Sequence, residues 1–95
     1  MHTLEWTQVG RNDLLSIIEY IANENISAAQ KFKDNLYSDI SHLTTFPMMG
    51  REGRITGTRE LVISDHYLVV YSISLQAEKI TILRVLSTYR QWPDE

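Results

Sequence analysis

The chain has no cysteine. Without thiols there is neither a disulfide framework nor a thiolate zinc site. That usage fits a reducing compartment, so the expected location is the cytoplasm. Long apolar runs are missing too, and no stretch approaches the roughly 20 residues of a membrane-spanning helix. The opening "MHTLEWTQVGRNDLL" has no basic segment leading into an apolar one, so no secretory signal is expected. A basic surplus is absent as well. Nine Lys and Arg against twelve Asp and Glu leave a net charge of −3, which excludes a broad surface built to grip nucleic-acid phosphates. Proline and glycine are scarce, and Pro47, Gly50, Gly53 and Gly57 fall together in "FPMMGREGRITGT". That segment is the main break in the chain.

What remains is an ordinary globular composition. At 95 residues, 43% hydrophobic and 22% charged, the chain reads as one domain over residues 1–95. Residues 2–7, "HTLEWT", alternate Leu4 and Trp6 with polar neighbours and predict a short strand. Thr7 is placed to cap a helix whose apolar face carries Val9, Leu14, Ile17, Ile18 and Ile21. The spacing then predicts a second helix from Ser27, where Ser27-Ala28-Ala29-Gln30 matches a capping box. Phe32, Leu36, Ile40 and Leu43 form its stripe, ending near Phe46, and the short "NENI" link implies a helical hairpin.

Past the glycine-rich break the period changes to two. Strands are predicted at 59–64, 66–73 and 79–87, close enough in sequence to form an antiparallel meander. In the last one, Ile80, Ile82, Arg84 and Leu86 share one face and Thr81, Leu83, Val85 and Ser87 the other. The expected fold is therefore α+β: a helical hairpin packed on a small antiparallel sheet, in the order β-α-α-β-β-β. A hairpin covers only one side of such a sheet, which leaves the other apolar side as a candidate docking face.

Charge is unevenly spread. Residues 1–45 hold three basic and six acidic side chains, whereas Arg51, Arg54, Arg59, Arg84 and Arg90 give the second half local positive character. Glu60 reads as a solvated strand residue in a cross-strand ion pair. Arg84 reads either as a packed arginine whose head is bonded to carbonyls or to a carboxylate such as Glu60 or Asp65, or as a contact to phosphate or target. Tyr89 has three readings: stacking on a base, serving as a weak acid, or covering the open sheet face. Gly50-Arg51-Glu52-Gly53 has the GxxG form of a nucleic-acid clamp, but it lies between a helix and a strand. It reads as turn chemistry that presents Arg51 and Arg54 outward. His2, His42 and His66 fall in three elements, and Asp39 with His42 supplies only two ligands on one helix face, so no metal site and no cofactor are expected.

Four segments, in order, resemble the RelE/ParE superfamily of toxins from bacterial toxin–antitoxin modules. They are "DLLSIIEYIANEN", "FPMMGREG", "GTRELVISDHYLVVYSI" and "ITILRVLSTYRQWP", and together they cover nearly the whole chain. The resemblance implies a small protein wrapped and neutralised by a cognate antitoxin, with a toxin–antitoxin hetero-oligomer as its stored form. RelE-like members cut messenger RNA in the ribosome; ParE-like members poison DNA gyrase.

The residues lean toward the second branch. RelE-like enzymes carry arginine just before an "LVY"-type run; here Leu68 precedes Val69-Val70-Tyr71. Many relatives carry histidine where this chain has Ser87, and an unactivated serine is a poor acid or base near neutral pH. The mid-loop lysines of ribosome-dependent members are missing, and Arg51 and Arg54 would substitute for them only in part. The expectation is a ParE-like gyrase inhibitor contacting its target through Arg51, Arg54, Arg59, Arg84 and Arg90. Its antitoxin would bind through Leu68, Val70, Leu86, Tyr89 and Trp92. The alternatives are a ribosome-dependent endonuclease using Glu60, Arg84, Tyr89 and Arg90, or a non-toxic antitoxin-binding relative.

Overall fold

In the computed structural model, residues 2–88 are described. The element order is β1 (Thr3–Trp6), α1 (Gln8–Glu24), α2 (Ile26–Leu43), a short 3-10 turn (Pro47–Met49), β2 (Arg51–Glu52), β3 (Arg59–Ile63), β4 (Tyr67–Ser74) and β5 (Lys79–Ser87). The strands form one sheet ordered β1-β5-β4-β3-β2. The expected order is present, and β3, β4 and β5 form the meander. The sheet is mixed, because β1 runs parallel to β5 with Trp6 opposite Ile82. A two-residue strand, β2, is added at the far edge, where Arg51 faces Glu60.

Thr7 caps α1 as its sequence position suggests. Its Oγ1 accepts the Gly10 N–H at 3.0 Å and donates to the Leu83 carbonyl at 2.9 Å. One hydroxyl thus satisfies a helix-end donor and an acceptor on β5 just beyond the end of β1. A Cβ at Gly10 would stand 3.1 and 3.2 Å from the Ile82 and Leu83 carbonyl oxygens. The inward stripe of α1 therefore runs from Gly10 through Leu14, Ile17, Ile18 and Ile21, and Val9, one position off it, is exposed.

Asn25, not Ser27, starts α2. Its Oδ1 accepts the Ala28 N–H at 3.0 Å while its own N–H closes α1 onto the Ile21 carbonyl at 2.9 Å. A single extended residue thus ends one helix and caps the next, which shortens the link and lets α2 begin at Ile26. The stripe Phe32, Leu36, Ile40 and Leu43 is buried as its spacing predicts, but it stops at Leu43 and Phe46 is exposed. These residues meet Ile63, Val69, Tyr71, Ile80, Ile82 and Val85 from the sheet in one core. Each large side chain so buried stabilises the fold by roughly 1.5–3 kcal/mol.

The strict alternation expected for β5 does not hold. Val70 faces Arg84 but Tyr71 faces Ile82, so Leu83 is an extra residue, a bulge. It sends Val85 into the helix-side core beside Ile80 and Ile82, and groups Leu83 with Leu86 in a second cluster. In that cluster Leu68, Val70 and Leu86 are at most 1% exposed. The open apolar face expected at these three residues is therefore not exposed in this structure. Among the described residues, no helix is long and apolar enough to cross a membrane.

Candidate functional site

The segment after the 3-10 turn is organised by three side chains from the sheet. The buried Tyr71 donates its hydroxyl proton to the Pro47 carbonyl at 2.7 Å and accepts the Gly50 N–H at 2.9 Å. A Cβ at Gly50 would lie 2.7 Å from that hydroxyl and 2.8 Å from the Glu60 carbonyl oxygen, so the backbone can approach so closely only as glycine. Arg59 turns its guanidinium back onto the chain, donating from Nε to the Gly50 carbonyl at 2.9 Å and from Nη2 to the Met48 carbonyl at 3.2 Å. Of the arginines expected at a target surface, this one is occupied in clamping its own loop.

Glu60 is the third organiser, and it is not the solvated residue its sequence context suggests. It is 2% exposed, set between Arg51 on β2 and Val70 on β4. Its Oε1 accepts from Arg51 Nη2 at 3.3 Å and lies 3.7 Å from Arg54 Nε. Its Oε2 accepts the Arg54 backbone N–H at 3.1 Å. The two arginine side chains remain 59% and 46% exposed. They are presented outward as expected, but on an inner carboxylate. Beside them, Arg54, Ile55, Thr56, Thr58, Arg59 and Ile73 line a cleft of about 370 Å³.

Arg84 lies elsewhere. Its Nε and Nη2 donate to Asp13 Oδ2 and Oδ1 at 2.7 and 3.2 Å, and Asp13 Oδ2 also accepts the Val85 N–H at 3.0 Å. The partner is thus Asp13 on α1, not Glu60 or Asp65. The reason is topological: β1 ends opposite Ile82, and α1 lies along the rest of the β5 edge, where Asp13 supplies the acceptor a neighbouring strand would have supplied. The sequence offered one clue, since Asp13 is the only acidic residue between Gln8 and Ile18.

A third grouping surrounds Ser87, where Ser16, Ile17, Tyr20, His66, Tyr67 and Ser87 line a cleft of about 440 Å³. Tyr67 packs edge-on against Phe32, with ring centroids 4.9 Å apart. Burial, and secondarily Tyr20, raise its phenol above the ordinary value. A phenol pushed upward is a weaker proton donor, not an activated one. Tyr20 and Tyr67 escape sequence reasoning because their neighbourhood joins α1 to the β3–β4 turn.

Of the four residues proposed for ribonucleolytic chemistry, Glu60 and Arg84 are thus committed to separate ion pairs. Tyr89 and Arg90 lie outside the described residues, as does Trp92 from the antitoxin-binding set. Among the described residues, no group of three or more His, Asp or Glu is arranged to hold a metal ion.

The family described as "ParE toxin of type II toxin-antitoxin system, parDE" matches residues 4–92. A Sinorhizobium fredii protein named "Putative toxin Y4kP" is 35% identical over 95% of this chain and 92% of its own. A chain of the solved chromosomal ParDE toxin–antitoxin system from P. aeruginosa has the same fold, with a TM-score of 0.76 at 22% identity; the match covers 92% of this chain and 96% of that one. So does a chain of the RelBE2 toxin–antitoxin complex from Mycobacterium tuberculosis, with a TM-score of 0.61 at 24% identity over 90% and 96% of the two chains.

Proposed function

The chain belongs to the ParE toxin family of type II toxin–antitoxin systems, and we propose that it acts within that family by surface contact with DNA gyrase, silenced by a cognate antitoxin. The observation that carries this reading is the commitment of Arg84. Metal-free cleavage of RNA needs a cation over the phosphate and a proton donor and acceptor beside it. Here the strand arginine donates from Nε and Nη2 to the two oxygens of Asp13, and the carboxylate candidate, Glu60, is buried against two arginines. Leu68 and Ser87 stand where RelE-like chemistry calls for ionisable groups. Glu60 and Arg84 both face Val70 from neighbouring strands, but each is neutralised by a different partner.

The antitoxin contact is assigned to the helical hairpin. Leu15, Ile18, Ala22, Ile26, Lys33 and Tyr37 border an apolar groove of about 390 Å³ between α1 and α2. Leu15, Ile26 and Tyr37 are among the exposed large hydrophobic side chains. This is the exposed apolar surface that a neutralising partner would cover; Leu68, Val70 and Leu86 are already buried.

Induced expression in cells lacking the antitoxin tests the assignment. Growth arrest with relaxed plasmid DNA and intact transcripts is the expected result. Codon-positioned transcript ends with normal plasmid supercoiling would replace the contact reading with the endonuclease one.

A further inference from the structure

We propose that the β2–β3 hairpin is a preassembled cationic contact for a carboxylate-bearing protein surface, in which Glu60 is the positioning residue for Arg51 and Arg54. This rests on the reading that the chain acts by contact. A buried ion pair is weak evidence for stability, since apolar residues of similar volume often serve the fold as well or better. The neighbour across the strand is Val70, and Leu68 and Leu86 lie in the same cluster. An apolar side chain at position 60 would suit that environment. What a carboxylate adds is direction: it accepts from Arg51 Nη2 and the Arg54 backbone, and lies 3.7 Å from Arg54 Nε.

Both arginines are long side chains that would otherwise sample many rotamers. Held at one end by a carboxylate that is 2% exposed, they face solvent already ordered, which lowers the entropy lost when a partner binds. The base beneath them is fixed by Arg59 on the Gly50 and Met48 carbonyls and by Tyr71 on Gly50. Residues 50–60 carry three arginines and two glutamates in a protein of net charge −3. So small a surplus, on a chain that is acidic as a whole and whose α1 carries one basic and three acidic residues, suits a discrete acidic patch on a protein better than a long run of phosphates.

The test compares purified wild type with Glu60→Gln, Arg51→Ala and Arg54→Ala. It measures inhibition of gyrase supercoiling at several salt concentrations, below the melting temperature of every variant, alongside toxicity in cells. Glu60→Gln makes the hairpin more positive, so attraction by charge alone would strengthen inhibition; positioning by Glu60 predicts about tenfold weaker inhibition with an undiminished salt dependence. Arg51→Ala and Arg54→Ala each leave Glu60 with the other arginine, and each is expected to weaken inhibition about tenfold with a shallower salt dependence. A folded Glu60→Gln that inhibits as well as wild type overturns the proposal. If Glu60→Gln does not fold, full inhibition by both arginine variants overturns it. Loss of ribosome-bound transcript cleavage, with supercoiling untouched, would make the partner RNA and overturn the acidic-surface assignment. A wild-type chain that arrests no growth overturns the contact reading and this proposal with it.

Discussion

Arg84 and the Arg51–Arg54 pair each rest on a carboxylate, but only in the first site is the arginine itself enclosed. In the first site both partners are mostly enclosed, with side chains 21% and 14% exposed, and the bond ties α1 to β5 across 71 residues of sequence. In the second the carboxylate is inside and the arginines are outside. The first geometry spends the arginine on the fold. The second leaves guanidinium surface for another molecule to meet, so the same pair of residue types holds a helix in one place and presents charge in the other.

Substitutions can break this contrast, and the largest effect is expected at Asp13. Asp13→Ala leaves Arg84 and the Val85 N–H without their shared acceptor, which should cost about 3 kcal/mol. For a chain of this size that lowers the melting temperature by roughly 12–20 °C, measurable by urea or thermal unfolding. Gly50→Ala comes next, at about 2 kcal/mol, because its methyl group would press on Tyr71 and on β3. It loosens the presenting hairpin without removing a charge. Glu60→Leu should change stability by no more than about 1 kcal/mol, yet still weaken toxicity. A loss as large as that of Asp13→Ala would make the two sites alike and erase the distinction.

The smallest effect separates both sites from the Tyr67 cleft. The folded-state pKa of Tyr67 is raised above 10.0, so the unfolded chain releases this proton first as pH increases. The stability linked to Tyr67 is complete below that value and is lost as pH climbs through the raised folded pKa. Tyr67→Phe should flatten this alkaline decline in urea unfolding.

What could be read before the structure was known follows from range along the chain. The α2 stripe, the Thr7 cap and the meander depend on residues a few positions apart, and local period reports them directly. Asn25 outcompeted Ser27 because the capping site is set by where α1 stops, which periodicity locates only within a turn. The Leu83 bulge escaped notice because one extra residue reverses every later face assignment, a change no composition signals. For Arg84 the sequence leaves carboxylates, carbonyls and an outside target open, and Asp13 is brought to it by the placement of α1 against β5. Glu60 reads as solvated because a charged residue beside Arg59 at the start of a strand suggests a surface ion pair, although in space it meets Val70 and two arginines.

Action by contact, as proposed, and action by cutting RNA differ in what the pure protein does to each target. The most direct measurement adds the purified protein to gyrase with relaxed plasmid, and in parallel to translating ribosomes. Plasmid that stays relaxed and ribosome-bound transcripts that stay whole are the expected result. Fully supercoiled plasmid together with transcripts cut at codon positions would contradict it.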